Sequence, residues 1–337
     1  MNPDKQFVFI VGAPRSGSTW LQAMLGAHSD VCTFGELQVF NFYTVPWEDA
    51  WNRQVALGRY GLPTVWTRAE LQAFLEDFVE RTYRRVSERN PGASVFLDKH
   101  PAYSHYIAHI DALVPNARYV HIIRDGRDVA ASLLAASKGW GALWAPGDAR
   151  TAARTWKRHV VDARSASGFT DRYLEVRYED LLADGPAELG RIFAFMGCAV
   201  DPAEIHTIYE GNRFEKMREH RTASNGRSLP PDFFRTGRAG GWRAQLGPKQ
   251  RLAFASVADG LLRELGYADE NWWADSWPQR YALQLRDPRS RRRLLDGVAS
   301  RTLGRARTDR IRAVLGKPRR QPTGSSPGRS AAAEPGR

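Results

Sequence analysis

The first stretch with the residue types of a binding site is VGAPRSGSTWL, Val11 to Leu21, directly after the apolar run QFVFI. Gly12, Gly17 and Thr19 fit the spacing G-x-x-x-x-G-x-[ST]. Glycine lets backbone N–H groups approach an anion closely, and the amino end of a following helix adds the positive end of its dipole. The spacing therefore predicts a phosphate-binding loop between a strand and a helix.

This loop differs from that of P-loop nucleoside triphosphatases in the position of its cation. Those proteins carry a lysine directly after the second glycine, whereas this chain has Ser18. Arg15 stands between the two glycines, and its planar guanidinium suits two anionic oxygens at once. The hydroxyls of Ser16, Ser18 and Thr19 add further donors. The residues thus predict an anion site whose cation precedes the second glycine.

The segment PRSGSTWL, Pro14 to Leu21, resembles the 5′-phosphosulfate loop P-[KR]-S-G-[ST]-T-W-L of sulfotransferases that use 3′-phosphoadenosine 5′-phosphosulfate (PAPS). Its arginine form is similar to that of tyrosylprotein and many bacterial sulfotransferases. The resemblance implies a P-loop-like α/β fold and transfer of a sulfuryl group from PAPS, releasing adenosine 3′,5′-bisphosphate (PAP). The residues that it assigns to the 5′-phosphosulfate are Arg15, Ser16, Gly17, Ser18, Thr19 and Trp20.

A second segment, YVHIIRDGRDVAASLL from Tyr119, resembles the motif that binds the cofactor's 3′-phosphate in the same family. It places Arg124 at a strand end and Ser132 eight residues later. A helix after the strand would bring the hydroxyl back toward the arginine, so that both hold one phosphate. Arg127 and Asp128 are interpreted as an ion pair of the turn between strand and helix.

Three shorter matches extend the resemblance over roughly residues 5–265. LEVRYEDLLAD places Tyr178 near the adenine, and NRFEKM places Phe214 on the adenine face, although Asn212 and Arg213 replace the family's hydroxyl residues there. FRTGRAGGWR resembles the late segment that closes over the 3′-phosphate. It assigns Arg235 and Gly237 to the cofactor, with Thr236 at the usual lysine and Arg238 as a substitute cation.

Sulfuryl transfer requires positive charge at the leaving phosphate and a base that takes the acceptor's proton. Arg15 suits the first task, and the resemblance adds Lys99, which is similar to a lysine that contacts the transferred group. Two residues are candidates for the base. Glu36 follows a glycine as in tyrosylprotein sulfotransferases, while His100 resembles the histidine of cytosolic sulfotransferases, with K-H-P in place of K-x-H-x-P. This chemistry needs no metal.

Two other functions are compatible with a phosphate-binding loop. A small-molecule P-loop kinase would need a lysine at position 18, which is absent, and an aspartate at a strand end that holds Mg²⁺, a role that Asp98 or Asp125 fits only loosely. A binding module without catalysis would keep the phosphate motifs and lack a functional base. The sulfotransferase interpretation is favoured because both phosphate motifs and both base candidates are present.

The elements around these motifs predict an α/β fold. Short apolar runs that end at Gly12, Lys99, Arg124 and Arg177 alternate with helical segments. Such alternation is typical of a mostly parallel sheet covered by helices on both faces. One helix is predicted directly after the first loop, with His28 on its apolar face. A second helix is predicted over about residues 68–88. Pro101 is expected to end the second strand.

Composition limits the class of protein. The 337 residues are 42% hydrophobic, which is enough for a large core, and the two cysteines, Cys32 and Cys198, cannot form a disulfide framework. No apolar run reaches the length of a membrane span, so we predict a soluble cytoplasmic protein. Residues 286–337 hold 15 basic and 4 acidic side chains of a chain whose net charge is +12. The remainder is nearly neutral, which argues against a specific nucleic-acid footprint.

The predicted organisation is a sulfotransferase domain at 1–285, a basic amphipathic helical extension at 286–316 and a disordered tail at 317–337. The extension either contacts an anionic membrane or a partner, or is simply solvated. The acceptor is a small molecule, glycan, lipid or peptide, and the oligomeric state is left open. Aromatic residues between the motifs are candidates for an acceptor pocket or for the core: Phe40, Phe42, Tyr43, Trp47, Trp51, Trp66, Trp140 and Trp144.

Overall fold

Five parallel strands form one sheet in the part of the chain that the structure describes. The computed structural model describes residues 5–168, 171–220, 226–270 and 272–274. The strand order is β2-β3-β1-β4-β5, and every pairing is parallel. The strands are β1 (Gln6–Val11), β2 (Val31–Thr33), β3 (Val95–Lys99), β4 (Arg118–Ile123) and β5 (Tyr173–Arg177).

Helices follow most of the strands, as the alternation of sequence patterns predicts. Those of the described residues are α1 (Ser18–Leu25), α2 (Val45–Ala56), α3 (Arg68–Ser87), α4 (Ile107–Leu113), α5 (Gly126–Ala136), α6 (Ala149–Ala163), α7 (Tyr178–Ala183), α8 (Gly185–Met196), α9 (Pro202–Gly211), α10 (Phe214–His220), α11 (Trp242–Gln245) and α12 (Pro248–Glu264). Shorter turns of π and 3₁₀ helix lie at Phe40–Thr44, Leu62–Thr64, Pro101–His105 and Arg164–Gly168.

Local signals in the sequence account for several helix boundaries. Thr67 and Glu70 form a capping box at the start of α3, in which each side chain bonds to the other residue's backbone N–H. α1 ends at Leu25, directly before Gly26, so His28 lies beyond the helix and not on its apolar face. β3 ends at Lys99 and Pro101 begins a 3₁₀ turn, as expected.

The two faces of the sheet bury different layers of side chains because residues alternate along each strand. Phe9, Phe96 and Tyr119 pack on one face against α3 and α4. Val8, Ile10 and other aliphatic residues face α1 and α8. A third cluster around Trp156 joins α5, α6 and α12. Coverage of both faces explains why the strands read as continuous apolar runs.

The carboxyl ends of the strands lie along one edge of this sheet. Register pairs Ile10 of β1 with Lys99 of β3 and Val11 with His121 of β4. The residues that follow β1, β3, β4 and β5 are therefore brought together, and ligands of open parallel sheets bind at this edge. None of the described helices combines the length and hydropathy that a membrane crossing requires. The predicted extension 286–316 and tail 317–337 lie outside the described residues.

Candidate active site

The loop after β1 has the strained geometry of an anion cradle. Ser16 donates its backbone N–H to the Ala13 carbonyl at 3.1 Å. Arg15 has φ +73° and Gly17 has φ +100° as the residue before α1. A non-glycine residue at positive φ stores strain and is common at binding sites. Here the positive φ angles of Arg15 and Gly17 turn the chain sharply from β1 into α1.

Glycine is required at both ends of the loop by close contacts. A Cβ on Gly12 would collide with the backbone of Ile122 in β4, and a Cβ on Gly17 would lie 2.5 Å from the Tyr178 ring. Ser104, just beyond β3, accepts the Gly12 N–H at 2.9 Å. Neighbouring strands thus fix the loop from both sides, which the spacing of two glycines alone does not reveal.

Three arginines converge beside the loop, and we call Arg15, Arg124 and Arg235 the arginine cluster. Arg15 donates from Nε to Ser132 Oγ at 3.0 Å and from Nη2 to the Phe233 carbonyl. Arg124 donates from Nη1 to the Arg15 carbonyl at 3.3 Å. Arg15 therefore connects the predicted pair, because its side chain donates to Ser132 and its carbonyl accepts from Arg124.

The positive charges of the arginine cluster are close enough to affect each other. Burial, together with the charges of Arg124 and Arg235, lowers the pKa of Arg15 to about 10. Burial and Arg124 also lower the pKa of Arg235. In the described part of the chain, none of the three forms an ion pair with a carboxylate. The charge of Asp128 acts on Arg124 and Arg235, so one carboxylate offsets part of the charge of three cations and this end of the site keeps an excess of positive charge.

A cavity of about 190 Å³ opens beside this cluster. Its lining includes Arg15, Ser132, Arg235, Lys138 and Trp140, with Asp232 as its carboxylate. Lys138 is a basic residue that the motifs did not indicate, because it reaches the cavity from the end of α5. Arg238, the predicted substitute cation, is exposed and meets Arg124 through its carbonyl, which accepts from Nη2 at 3.0 Å.

The role predicted for Arg127 and Asp128 is wrong. Arg127 pairs with Asp125 at 2.7 Å, and both side chains are buried instead of lying on a surface turn. Asp128 accepts the backbone N–H groups of Gly240 and Trp242 at 2.7 and 2.8 Å. This carboxylate therefore fastens the late segment, including the region after Arg235, to α5. The contact spans more than a hundred residues, so no local pattern could indicate it.

The second group of the site joins the base candidates. Lys99 Nζ donates to a carboxylate oxygen of Glu36 and to Thr19 Oγ1, the latter at 3.1 Å. The Lys99 side chain is 3% exposed and that of Glu36 is 37% exposed. This Glu36–Lys99 pair therefore has a buried cation and a carboxylate that still faces solvent.

His100 lies next to this pair with its two ring nitrogens in different roles. Nδ1 accepts the Ala102 N–H at 3.2 Å, and Nε2 lies 3.6 Å from Glu36 Oε2. Burial lowers the pKa of His100, and Lys99 acts in the same direction while Glu36 opposes it. A neutral ring that accepts at Nδ1 carries its proton on Nε2, which points that proton at Glu36.

Gln22 of α1 holds the loop that carries Glu36. Its amide donates to the Gly35 carbonyl at 2.7 Å and to Thr33 Oγ1 at 2.9 Å. The side chain is buried, with 2% of it exposed. The helix after the phosphate-binding loop therefore also positions the base candidate. A single glutamine in an amphipathic helix gives no sequence signal for such a role.

The residues predicted around the adenine lie together on the α1 side of the sheet. The Tyr178 ring packs against Trp20 at 5.6 Å and below the Arg124 guanidinium at 4.1 Å. Trp20 donates its indole N–H to the Asn212 carbonyl at 2.7 Å. Phe214 packs so closely on Gly237 that a Cβ there would collide with its ring. Ser18 is buried at the first turn of α1.

The sequence of the chain matches the family described as "Sulfotransferase family" over residues 7–202. That span includes the phosphate-binding loop, Glu36, Lys99, Arg124 and Tyr178. The chain belongs to the sulfotransferase family.

Curated relatives agree with this assignment. The chain is 25% identical over 209 residues to "Protein-tyrosine sulfotransferase 1" of Danio rerio, covering 61% of this chain and 57% of that protein. It is 28% identical over 215 residues to "Protein-tyrosine sulfotransferase A" of Caenorhabditis elegans, covering 61% and 53%. The match thus spans little more than half the length of these two relatives.

Solved structures share the fold of this family member. Mouse sulfotransferase SULT7A1 complexed with PAP superposes with a TM-score of 0.53 at 18% identity, covering 77% of this chain and 86% of that one. The sulfotransferase domain from the curacin biosynthetic pathway gives 0.51 at 20% identity, covering 76% and 97%. Identities this low show the common fold, which confirms the predicted α/β class.

The aromatic residues proposed for an acceptor pocket are divided by the fold. Phe40 and Trp51 are buried in the core, so they cannot contact an acceptor. Tyr43 and Trp47 remain exposed and pack against each other at 6.0 Å. Trp140 lies beside Arg15, with the guanidinium 5.2 Å from its ring, and packs on Trp144 at 5.3 Å. Phe42 is exposed, and Trp66 is partly buried against the core.

Proposed function

We propose that this sulfotransferase-family protein transfers a sulfuryl group from PAPS to a hydroxyl or amine acceptor and releases PAP. One observation carries the proposal: an arginine cluster with excess positive charge and a Lys–Glu pair flank the same glycine-framed loop at one sheet edge. The first group suits a ligand with several negative charges. The second suits removal of a proton from an acceptor. Together they provide the two requirements of anionic group transfer.

The residues fit a donor that carries phosphate at both ends of its ribose. Ser16 Oγ, Arg124 Nε and Arg235 Nε are buried polar atoms without a hydrogen-bond partner in the structure. Such atoms are costly unless a ligand or water satisfies them. We assign the 3′-phosphate to Arg124, Ser132 and Arg235, and the 5′-phosphosulfate to Arg15 and the N–H groups of residues 16–19.

During transfer, a bond forms between the acceptor oxygen and sulfur while the bond between sulfur and the 5′-phosphate oxygen breaks. Bound PAPS supplies the SO₃ group and a bisphosphate leaving group. Arg15 and Lys99 stabilise the negative charge that develops on the phosphate and sulfonate oxygens, since both cations adjoin the loop. Thr19 connects Lys99 to the loop, which keeps that ammonium near the transferred group.

Glu36 is the proposed general base. Its carboxylate is partly exposed, whereas the Nε2 of neutral His100 carries a proton and cannot accept another. Glu36 therefore takes the acceptor's proton, Lys99 orients the carboxylate by donating to it, and His100 supports the second oxygen. For a hydroxyl acceptor, the oxygen loses its proton to Glu36 as it gains the SO₃ group from PAPS.

A phenolic acceptor is the first to test, and a tyrosine-containing peptide is the natural form of it. Two relatives are named protein-tyrosine sulfotransferases. Exposed rings at Tyr43 and Trp47, and separately at Trp144 beside Trp140, offer aromatic contacts on this chain. Small-molecule phenols, glycans and lipids are the comparison set for the same assay.

The kinase alternative predicts a different ligand. Calorimetric titration with PAP, and separately with ATP plus Mg²⁺, distinguishes the two because only the first carries a 3′-phosphate. We expect metal-independent PAP binding at micromolar concentration and radiolabel transfer from PAPS to a phenol. Tight binding of ATP with Mg²⁺ and no response to PAP would overturn the proposal. PAP binding with no transfer to any acceptor would instead favour a binding module.

A further inference from the structure

Asp98, the residue before Lys99 in β3, is a carboxylate in the core of the protein, with only 1% of it exposed. Successive residues of a strand point to opposite faces. Lys99 therefore reaches Thr19 on the α1 side, while Asp98 faces Tyr83 of α3 on the other side. No phosphate motif includes this aspartate, and the kinase interpretation considered it only as a metal ligand.

Each carboxylate oxygen of Asp98 accepts two hydrogen bonds. Oδ1 accepts the backbone N–H of Lys99 at 2.7 Å and that of Leu37 at 3.4 Å. Oδ2 accepts the hydroxyls of Tyr103 at 2.8 Å and Tyr83 at 3.3 Å. Leu37 directly follows Glu36. Oδ1 of Asp98 therefore connects the backbone next to Glu36 with the backbone of Lys99.

The loop beyond Glu36 is held by the same network. Tyr103, which donates to Asp98, accepts the backbone N–H of Val39 at 3.2 Å. Between these anchors Gln38 has φ +58°, a conformation that a non-glycine residue keeps only when its surroundings enforce it. The backbone on the carboxyl side of Glu36 is therefore fixed at two points that both depend on Asp98.

We infer that Asp98 is a positioning residue that sets the distance between the Glu36 carboxylate and the Lys99 ammonium. This inference rests on the proposed roles of Glu36 and Lys99. Among the described residues, the hydrogen bonds of Asp98 go to Leu37, Lys99, Tyr83 and Tyr103 and none goes to the loop that would bind the donor, so it acts through the residues it fixes. Removal of the Asp98 carboxylate would allow the Glu36 loop to move relative to β3, while the arginine cluster would stay in place.

The charge of Asp98 makes this role sensitive to pH. Burial raises the pKa of Asp98 to about 6, although its four donors oppose the shift. The neighbouring ionisable groups are Tyr83, Tyr103, Lys99, Glu36 and His100. Because the folded-state pKa lies above the usual value, protonated Asp98 favours the folded state, and this contribution to stability is lost as pH rises through about 6. Retention of an ionised carboxylate there is consistent with a positioning role instead of a stabilising one.

The test compares Asp98→Asn with wild type in the full chain. Backbone amide exchange of the peptide containing Leu37 and Val39 is followed by mass spectrometry, and transfer is assayed with PAPS and 4-nitrophenol. We expect faster exchange in that peptide and a fall in kcat of about 10- to 100-fold, as for misplacement of a catalytic group by about 1 Å. The dissociation constant for PAP should change less than about twofold, because no PAP-binding residue contacts Asp98.

The control is Asp259→Asn in α12, a carboxylate that accepts the indole N–H of Trp272 at 2.9 Å on a helix that packs against α6 and not on the Glu36 loop. Tyr103→Phe serves as a second variant if Asp98→Asn does not fold, since it removes the Val39 acceptor and one donor to Asp98. The exchange difference between wild type and Asp98→Asn should shrink below about pH 6, where wild-type Asp98 becomes protonated.

Unchanged exchange and unchanged kcat in both variants would overturn the inference. So would an equal loss of PAP affinity and kcat, because that pattern indicates general damage to the fold. The exchange measurement does not depend on catalysis. If amide exchange of the peptide containing Leu37 and Val39 changes as expected but the wild-type protein never transfers a sulfuryl group from PAPS, the proposed function is refuted. The conclusion that Asp98 holds the Glu36 loop would then still stand.

Discussion

The arginine cluster and the Glu36–Lys99 pair lie at the same sheet edge, but they differ in how charge is compensated. Arg15, Arg124 and Arg235 repel one another and form no direct ion pair within the described residues, although the charge of Asp128 acts on Arg124 and Arg235. Lys99, which is more deeply buried, donates directly to Glu36. One end of the site therefore carries excess positive charge, whereas the other is internally balanced.

This difference indicates separate tasks. Uncompensated charge raises the free energy of the unliganded protein, and an anionic ligand recovers that free energy on binding. A compensated pair gains little from an added anion, but it holds a carboxylate in one orientation for proton transfer. Substitutions in the first region should therefore change ligand affinity, while those in the second should change the rate.

Glu36→Gln should produce the largest effect. The amide cannot accept the acceptor's proton, so kcat should fall by about 10²- to 10⁴-fold. The dissociation constant for PAP, measured by calorimetry, should stay within about twofold. His100→Asn is the matched variant, because its side-chain oxygen can still accept the Ala102 N–H. A greater loss in His100→Asn than in Glu36→Gln would exchange the two roles.

Arg124→Met should show the next largest effect, and on affinity. Hydrogen bonds to charged groups contribute about 1.5–3 kcal/mol, so PAP binding should weaken by about 10- to 100-fold. Binding of AMP, which lacks the 3′-phosphate, should change much less. Arg154→Met on the exposed face of α6 controls for loss of one positive charge. Equal weakening of AMP and PAP would contradict the assignment of Arg124 to the 3′-phosphate.

The free energy of unfolding should respond differently in the two regions. Glu36→Gln leaves the buried Lys99 ammonium without its carboxylate, which should lower the free energy of unfolding by about 1 kcal/mol after allowance for the exposure of Glu36. Arg235→Met relieves repulsion within the arginine cluster and should leave stability unchanged or slightly higher. Urea titration of both variants without ligand measures this, and destabilisation of both to the same extent would remove the distinction.

Lys138→Met should produce the smallest effect. This exposed lysine lines the cavity beside Arg15, and an exposed charge contributes up to about 1 kcal/mol, so PAP affinity should fall by about two- to fivefold. The effect should vanish at high salt, where exposed charges are screened. Thr236→Lys in the same variant should restore affinity if the two positions serve one anion. No change at low salt would exclude Lys138 from the ligand site.

Much of the fold could be predicted from the sequence because strand ends and turns carry local signals. β1, β3 and β4 are apolar runs that end at Gly12 or at a charged residue, and α1, α4 and α5 follow them, with a 3₁₀ turn between β3 and α4. β2 was not predicted, since its three residues are too few to show a pattern. Phe40 and Trp51 were ambiguous for another reason: an aromatic residue has the same sequence signal in a core and in a pocket.

The sequence by itself determined the loop from Gly12 to Thr19, the displaced cation Arg15, the arginine at the end of β4 and both candidate bases. Those signals are local because a strand, a tight turn and a helix occupy adjacent residues. Tertiary structure alone decided that Lys99 meets Glu36, that Asp128 fastens the late segment and that Lys138 reaches the cavity. Each of these contacts joins distant residues, and only the alignment of parallel strands and the packing of their helices brings those residues within bonding distance.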